Sequence, residues 1–112
     1  DVTGVQTCAL PIYTLASHLA VALKAKRLVI AGGTAGVLDE AGQTIGRLTA
    51  RGAAAMIRAG TANKGMVAKL DACRAALRNG VGDVVIANGR EMSFAALVTA
   101  SKPLSGCTQV VR

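Results

Sequence analysis

Two hydrophobic periods alternate along this chain, and that alternation leaves few architectures open to it. Leu15, Leu19, Ala22 and Leu23 recur at helical spacing, and the unbroken apolar run Leu28-Val29-Ile30-Ala31 that follows reads as a buried strand. Gly32-Gly33-Thr34-Ala35-Gly36 then interrupts regular structure, and Val37 to Ile45 reads as a hairpin with its polar turn over Glu40 to Gly42. Thr49 is a side-chain cap for a helix over 50–59 closed by Gly60. A second helix spans 65–78, with Met66, Leu70, Cys73 and Leu77 on one face and Asn79-Gly80 as its stop. Asp83 to Ala87 reads as a strand, Ser93 to Ala100 as a helix, and Thr108 to Val111 as a closing strand. Helices interleaved with continuous apolar strands predict an α/β fold built on a layered sheet.

The 112 residues suit one domain at most. With 52% hydrophobic residues and only 2% aromatic, the core must be aliphatic. No apolar run approaches the roughly 20 residues of a membrane span, so no membrane partner is expected. The net charge of +7 invites a nucleic-acid reading. However, the basic residues are scattered from Lys24 to Arg112 with almost no aromatics between them. Their one dense spot, Lys24, Lys26 and Arg27, reads as the C-terminal turn of a helix, where cations suit the dipole. A solvated basic surface is expected, and no nucleic acid.

Cys8, Cys73 and Cys107 are odd in number and lack metal-ligand spacing, and His18 is the only histidine. No metal site is expected from that set. Cys73 reads as a small core residue, and the reducing cytoplasm is the expected compartment.

Residues 1–12 stand apart from this pattern. Val2 to Ile12 match, over eleven consecutive residues, the in-frame translation of a sequencing adapter. The adapter's last base also supplies the first base of codon 13. The segment is therefore expected to be non-native, and 13–112 to be the protein proper.

Familiar phosphate-binding patterns are missing. Gly60 to Gly65 has the first spacing of a P-loop, but Met66 and Val67 stand where Lys and Ser or Thr must follow. The cluster Gly32-Gly33-x-x-Gly36 is either a tight turn or a Cβ-free approach for a nucleotide at a strand's carboxyl end. Lys69 lies near the start of a helix, where the dipole disfavours a cation, and it borders the apolar face. It is either a surface lysine or one that cancels charge on a transferring phosphoryl group.

Gly36-Val37-Leu38-Asp39, Leu48-Thr49 and Gly60-Thr61 are followed by Gly65-Met66-Val67-x-Lys69-Leu70-x-x-Cys73 and Ala76-Leu77. Together with Gly89-Arg90 and Thr108 to Val111, these segments resemble the C-terminal half of the acetylglutamate kinases of the amino-acid kinase superfamily. The resemblance covers 13–112 and implies part of a three-layer α/β/α sandwich, truncated at its N-terminus, whose C-terminal half binds ATP as Mg-ATP. The missing half would bind N-acetyl-L-glutamate. The implied reaction is phosphorylation of that substrate's side-chain carboxylate in arginine biosynthesis, by a parent enzyme that is a cytoplasmic homo-oligomer.

On the matching positions, Lys69 falls on the lysine that contacts the transferring phosphoryl group. Gly33, Thr34, Ala35, Gly36, Val37 and Leu38 fall on one nucleotide-binding segment, and Asn63, Lys64, Gly65 and Met66 on the second. Two departures stand out. The family usually has an acidic residue at Gly33, and the family segment Asn-x-Asn-Ala-Asp would end at position 13, where this chain has Tyr13. An Asp codon becomes a Tyr codon by its first base alone, the base the adapter contributes. The chain by itself is expected to be inactive and, with part of its sheet missing, to self-associate. Two alternatives remain: another kinase of the superfamily acting on a different carboxylate or a carbamate, and a small basic domain that binds anions or nucleic acid without catalysis.

Overall fold

A computed structural model describes the backbone of residues 2–101 and 104–112, and side chains from residue 12 onward within those ranges. The elements run α1 (Val2–Ala22), β1 (Arg27–Gly32), β2 (Arg47–Thr49), α2 (Ala50–Ala59), α3 (Lys64–Arg78), β3 (Asp83–Asn88), α4 (Phe94–Thr99) and β4 (Cys107–Val111). They make one four-stranded sheet in the order β1-β3-β4-β2. β1 and β3 are parallel, β2 and β4 are parallel, and β3 and β4 are antiparallel. The carboxyl ends of β1 and β3 therefore lie on the same edge as the start of β4.

Side-chain alternation along these strands builds two cores. Ile30, Val84, Ile86 and Val110 point to the face covered by α1, α2 and α3, and meet Leu70, Cys73, Ala76 and Leu77 of α3. Val85, Ala87 and Cys107 point to the other face and meet Leu97 of α4. Helices thus lie on both sides of the sheet, giving the expected three layers. Leu70 and Leu77 are fully buried, each contributing about 2 kcal/mol by removing its side chain from water.

Local chemistry sets the helix ends. Thr49 caps α2 by accepting the Gly52 amide at 2.9 Å, and Gly60 closes it in the left-handed region at φ 73. Asn63 caps α3 through the Met66 amide at 2.8 Å, so α3 starts one residue ahead of the sequence reading. Three differences from that reading have physical reasons. Arg47–Thr49 forms a short strand that carries no apolar run of its own and is recruited by register with β4. The apolar stripe of α1 faces outward, with Leu15, Leu19 and Leu23 exposed, while Ser17 and Ala20 are buried. Small residues on that inner side let α1 approach the Ala-rich α3 closely. Third, the basic cluster is divided. Lys24 ends α1 in the left-handed region at φ 56, whereas Arg27 opens β1.

Arg27 is committed to structure. Its Nε and Nη2 donate to the Asp83 carboxylate at 2.8 and 2.7 Å, and its Nη1 donates to the Leu97 and Ala100 carbonyls at the end of α4. That hydrogen-bonded guanidinium, together with the Gln109 amide, holds the Asp83 carboxyl below its ordinary range. α1 runs continuously from Val2 through Pro11 and Ile12 into Tyr13 and the residues after it.

Candidate nucleotide site

The site forms at the carboxyl edge of β1. β1 ends at Gly32, and the chain bends through 33–36. Gly36 has φ 77, and a Cβ there would meet Thr108 Oγ1 at 2.5 Å and the Thr108 amide nitrogen at 2.8 Å. Thr108, fully buried, accepts the Val37 amide at 2.8 Å, and the Thr44 hydroxyl donates to the Ala35 carbonyl at 2.8 Å. A single bridge between Leu38 and Thr44 closes the expected hairpin. The glycine-rich turn is therefore fixed to the last strand.

Opposite this turn, α2 ends and α3 begins. Thr34, Gly36, Val37 and Leu38 line a cleft of about 130 Å³ with Met56, Thr61, Ala62, Asn63 and Met66. Its walls are apolar at Val37, Leu38 and the two methionines, and polar at the threonines and Asn63. The start of α3, with its positive dipole end, borders the same space.

Lys69 lies one turn further along α3 from Met66. Only 9% exposed, it places its Nζ 2.7 Å from where a Cβ on Gly32 would sit. Among the described residues, no hydrogen bond or ion pair engages that ammonium. The lysine stem is thus packed between α3 and the end of β1, with its ammonium at the strand edge beside the glycine-rich turn. The Lys69 side chain is therefore mostly packed into the fold rather than spread on the solvated surface.

The two predicted segments converge, although not every residue in them lines the cleft. Thr34, Gly36, Val37, Leu38, Asn63 and Met66 do. Gly33 adjoins it with open space where a side chain would project, Ala35 contributes its carbonyl to the hairpin, and Lys64 and Gly65 form the exposed first turn of α3. Met56, Thr61, Ala62 and Thr108 were not among the expected site residues, and Gly32 was read only as part of the glycine cluster. Thr61 and Ala62 adjoin Asn63 and were open to local reasoning, whereas the others join the site through contacts remote in sequence.

Carboxylates are absent from the nine residues lining the cleft. Among the described residues, no group of three or more His, Cys, Asp or Glu could hold a metal ion. Cys73 is buried on the core face of α3, and burial pushes its thiol up to about 12. Cys107 is also buried, and Cys8 lies outside the described side chains.

Residues 14–88 match the amino acid kinase family. The chain belongs to that family. Among curated amino acid kinase relatives, it is 47% identical over 77 residues to the acetylglutamate kinase of Caulobacter sp. strain K31, covering 69% of this chain and 25% of the relative. It is 44% identical over 75 residues to the acetylglutamate kinase of Bartonella tribocorum, covering 67% and 25%. The chain thus spans about a quarter of the length of these kinases. Among solved structures, N-acetylglutamate synthase from Neisseria gonorrhoeae, crystallised with coenzyme A and N-acetyl-glutamate, superposes with a TM-score of 0.77. That match has 25% identity and covers 89% of this amino acid kinase chain and 23% of the synthase.

Proposed function

We propose that residues 13–112 belong to the C-terminal, nucleotide-binding half of an acetylglutamate kinase, and that residues 1–12 are not native to it. The observation that carries this reading is the placement of the Lys69 ammonium beside the glycine-rich turn, with no hydrogen bond or ion pair among the described residues. The start of the family match at residue 14 supports the boundary. Identities of 44–47% to acetylglutamate kinases, against 25% to the synthase, favour the kinase.

The residues present fit ATP. The cleft is smaller than the roughly 300 Å³ or more that encloses a whole ligand of this size. Val37, Leu38, Met56 and Met66 would hold the adenine ring, and the glycine-rich turn and Lys69 would meet the phosphates. Backbone amides of residues 33–35, and those of Lys64 and Gly65 at the start of α3, would meet phosphate oxygens. Mg²⁺ is usually held by one or two carboxylates together with phosphates. Lacking a carboxylate, the cleft does not fit a protein-held ion, so Mg²⁺ would be carried by the nucleotide.

In the full-length parent, a carboxylate oxygen of N-acetyl-L-glutamate attacks the γ-phosphorus of ATP. The bond to the β-bridging oxygen breaks, ADP leaves, and an acyl phosphate forms. Lys69 would balance charge on the transferring group. The acceptor would be held by residues outside this chain, so the 112-residue chain alone is not expected to turn over. The parent is proposed to be a cytoplasmic homo-oligomer serving arginine biosynthesis.

The test begins at the source locus, read upstream of codon 14. The reading predicts an open frame with an Asp codon at 13, continuing into a glycine-rich half with a further lysine. The enzyme made from that frame should form acyl phosphate, trapped by hydroxylamine, from ATP and N-acetyl-L-glutamate. A start codon immediately upstream, or a full-length enzyme inert toward that acceptor, contradicts it.

A further inference from the structure

We propose that Gly32 is a positioning residue for Lys69: the missing side chain at the last residue of β1 is the seat into which the ammonium fits. The inference rests on the nucleotide reading for its functional consequence, but not for its geometry. A Cβ on Gly32 would fall 2.7 Å from Lys69 Nζ and 3.5 Å from Cε, closer than real Cβ atoms approach a nitrogen.

Which partner would yield is decided by what holds each. Gly32 is paired in register with Asn88 of β3, and its carbonyl accepts the Gly89 amide at 2.9 Å. Gly89 is itself hemmed in, since a Cβ there would meet Ala31 Cβ at 3.0 Å. The strand end is thus pinned, and the fully buried Leu70 and Cys73 fix the core face of α3. The movable part is the far end of the lysine chain. A side chain at position 32 would therefore leave the sheet in place and displace the ammonium. Gly32 acts through Lys69 and need not touch the nucleotide.

Gly32→Ala is the test, with Gly46→Ala as control, because a Cβ at Gly46 meets nothing within 4 Å and the residue lies outside the cleft. The chain is labelled with ¹³C,¹⁵N-lysine, and the Lys69 side-chain resonances, the melting temperature and the Kd for Mg-ATP are recorded. In Gly32→Ala, the Lys69 Cε and Nζ resonances should move, the melting temperature should stay close to the parent value, and the Kd should rise about tenfold. Gly46→Ala should change none of the three.

Unmoved Lys69 resonances overturn the proposal. So does an unchanged Kd in a chain that binds Mg-ATP, and in that case the nucleotide reading survives. If the unsubstituted chain binds no Mg-ATP, the nucleotide reading falls, and the resonances alone decide the seat. Should Gly32→Ala fail to fold, Lys69→Ala removes the obstructing atoms and the double variant should fold. A double variant that also fails contradicts the proposal.

Discussion

Thr108 Oγ1, on the last strand, accepts the Val37 amide proton at 2.8 Å, and Gly36 packs so tightly against Thr108 that a Cβ would fall 2.5 Å from the same oxygen. The glycine-rich turn after β1 is therefore held by a strand 71 positions away, and its shape depends on the fold's completion. Thr108→Val removes the acceptor and leaves a buried amide unpaired, which should cost about 2 kcal/mol in urea unfolding. Gly36→Ala adds a positive-φ penalty to a clash with the Thr108 backbone and should cost at least as much. A loss under about 0.5 kcal/mol in both would mean that the turn is not anchored there.

The Arg27–Asp83 pair gives acid stability a definite sign. Because the folded Asp83 carboxyl is held below its ordinary value, its stabilisation is complete above the unfolded value of about 3.9. It is lost as pH falls from there through the lowered folded value. Asp83→Asn should lower stability by about 2 kcal/mol at neutral pH and flatten the acid limb of the stability profile. An unchanged limb in chemical denaturation between pH 5 and pH 2 would show that the pair carries no stability.

Neither described cysteine should react in the folded chain. Cys73 is buried with its thiol pushed up to about 12, and Cys107 is buried with its Sγ 3.1 Å from the Leu104 carbonyl. Ellman's reagent at pH 8 should label both only after unfolding. Rapid labelling of either in the native chain would contradict the packing of the corresponding core.

The outer stripe of α1 should make the chain associate. Ile12, Leu15, Leu19 and Leu23 are each more than half exposed along one side of that helix. Sedimentation velocity should show oligomers that shrink in the Leu15→Gln/Leu19→Gln double variant. A monomeric unsubstituted chain at tens of micromolar would count against this.

How much of this was legible in the sequence depended on the range of the interaction. Thr49, Gly60, Asn63 and Ser93 end helices through contacts with near neighbours, and local patterns located those helices within a residue or so. Lys69 stood out because a cation early in a helix, beside an apolar face, runs against local electrostatics. Strand β2 was not legible, because Arg47–Thr49 owes its conformation to β4. The outward turn of α1's leucines was hidden as well, since periodicity marks an apolar face without saying whether anything covers it. Gly32 read as part of a turn, and only the arrival of Lys69 from α3 gives its missing side chain a purpose.

The proposed role of Lys69 is to meet a nucleotide's phosphates beside the glycine-rich turn. Isothermal titration of Mg-ATP into the 112-residue chain and into Lys69→Ala tests it most directly. The account predicts saturable one-to-one binding by the parent chain and a weakening of about tenfold or more in the variant, as befits a lost charge-assisted contact. No binding by the folded parent chain, or equal affinity in both, would contradict it.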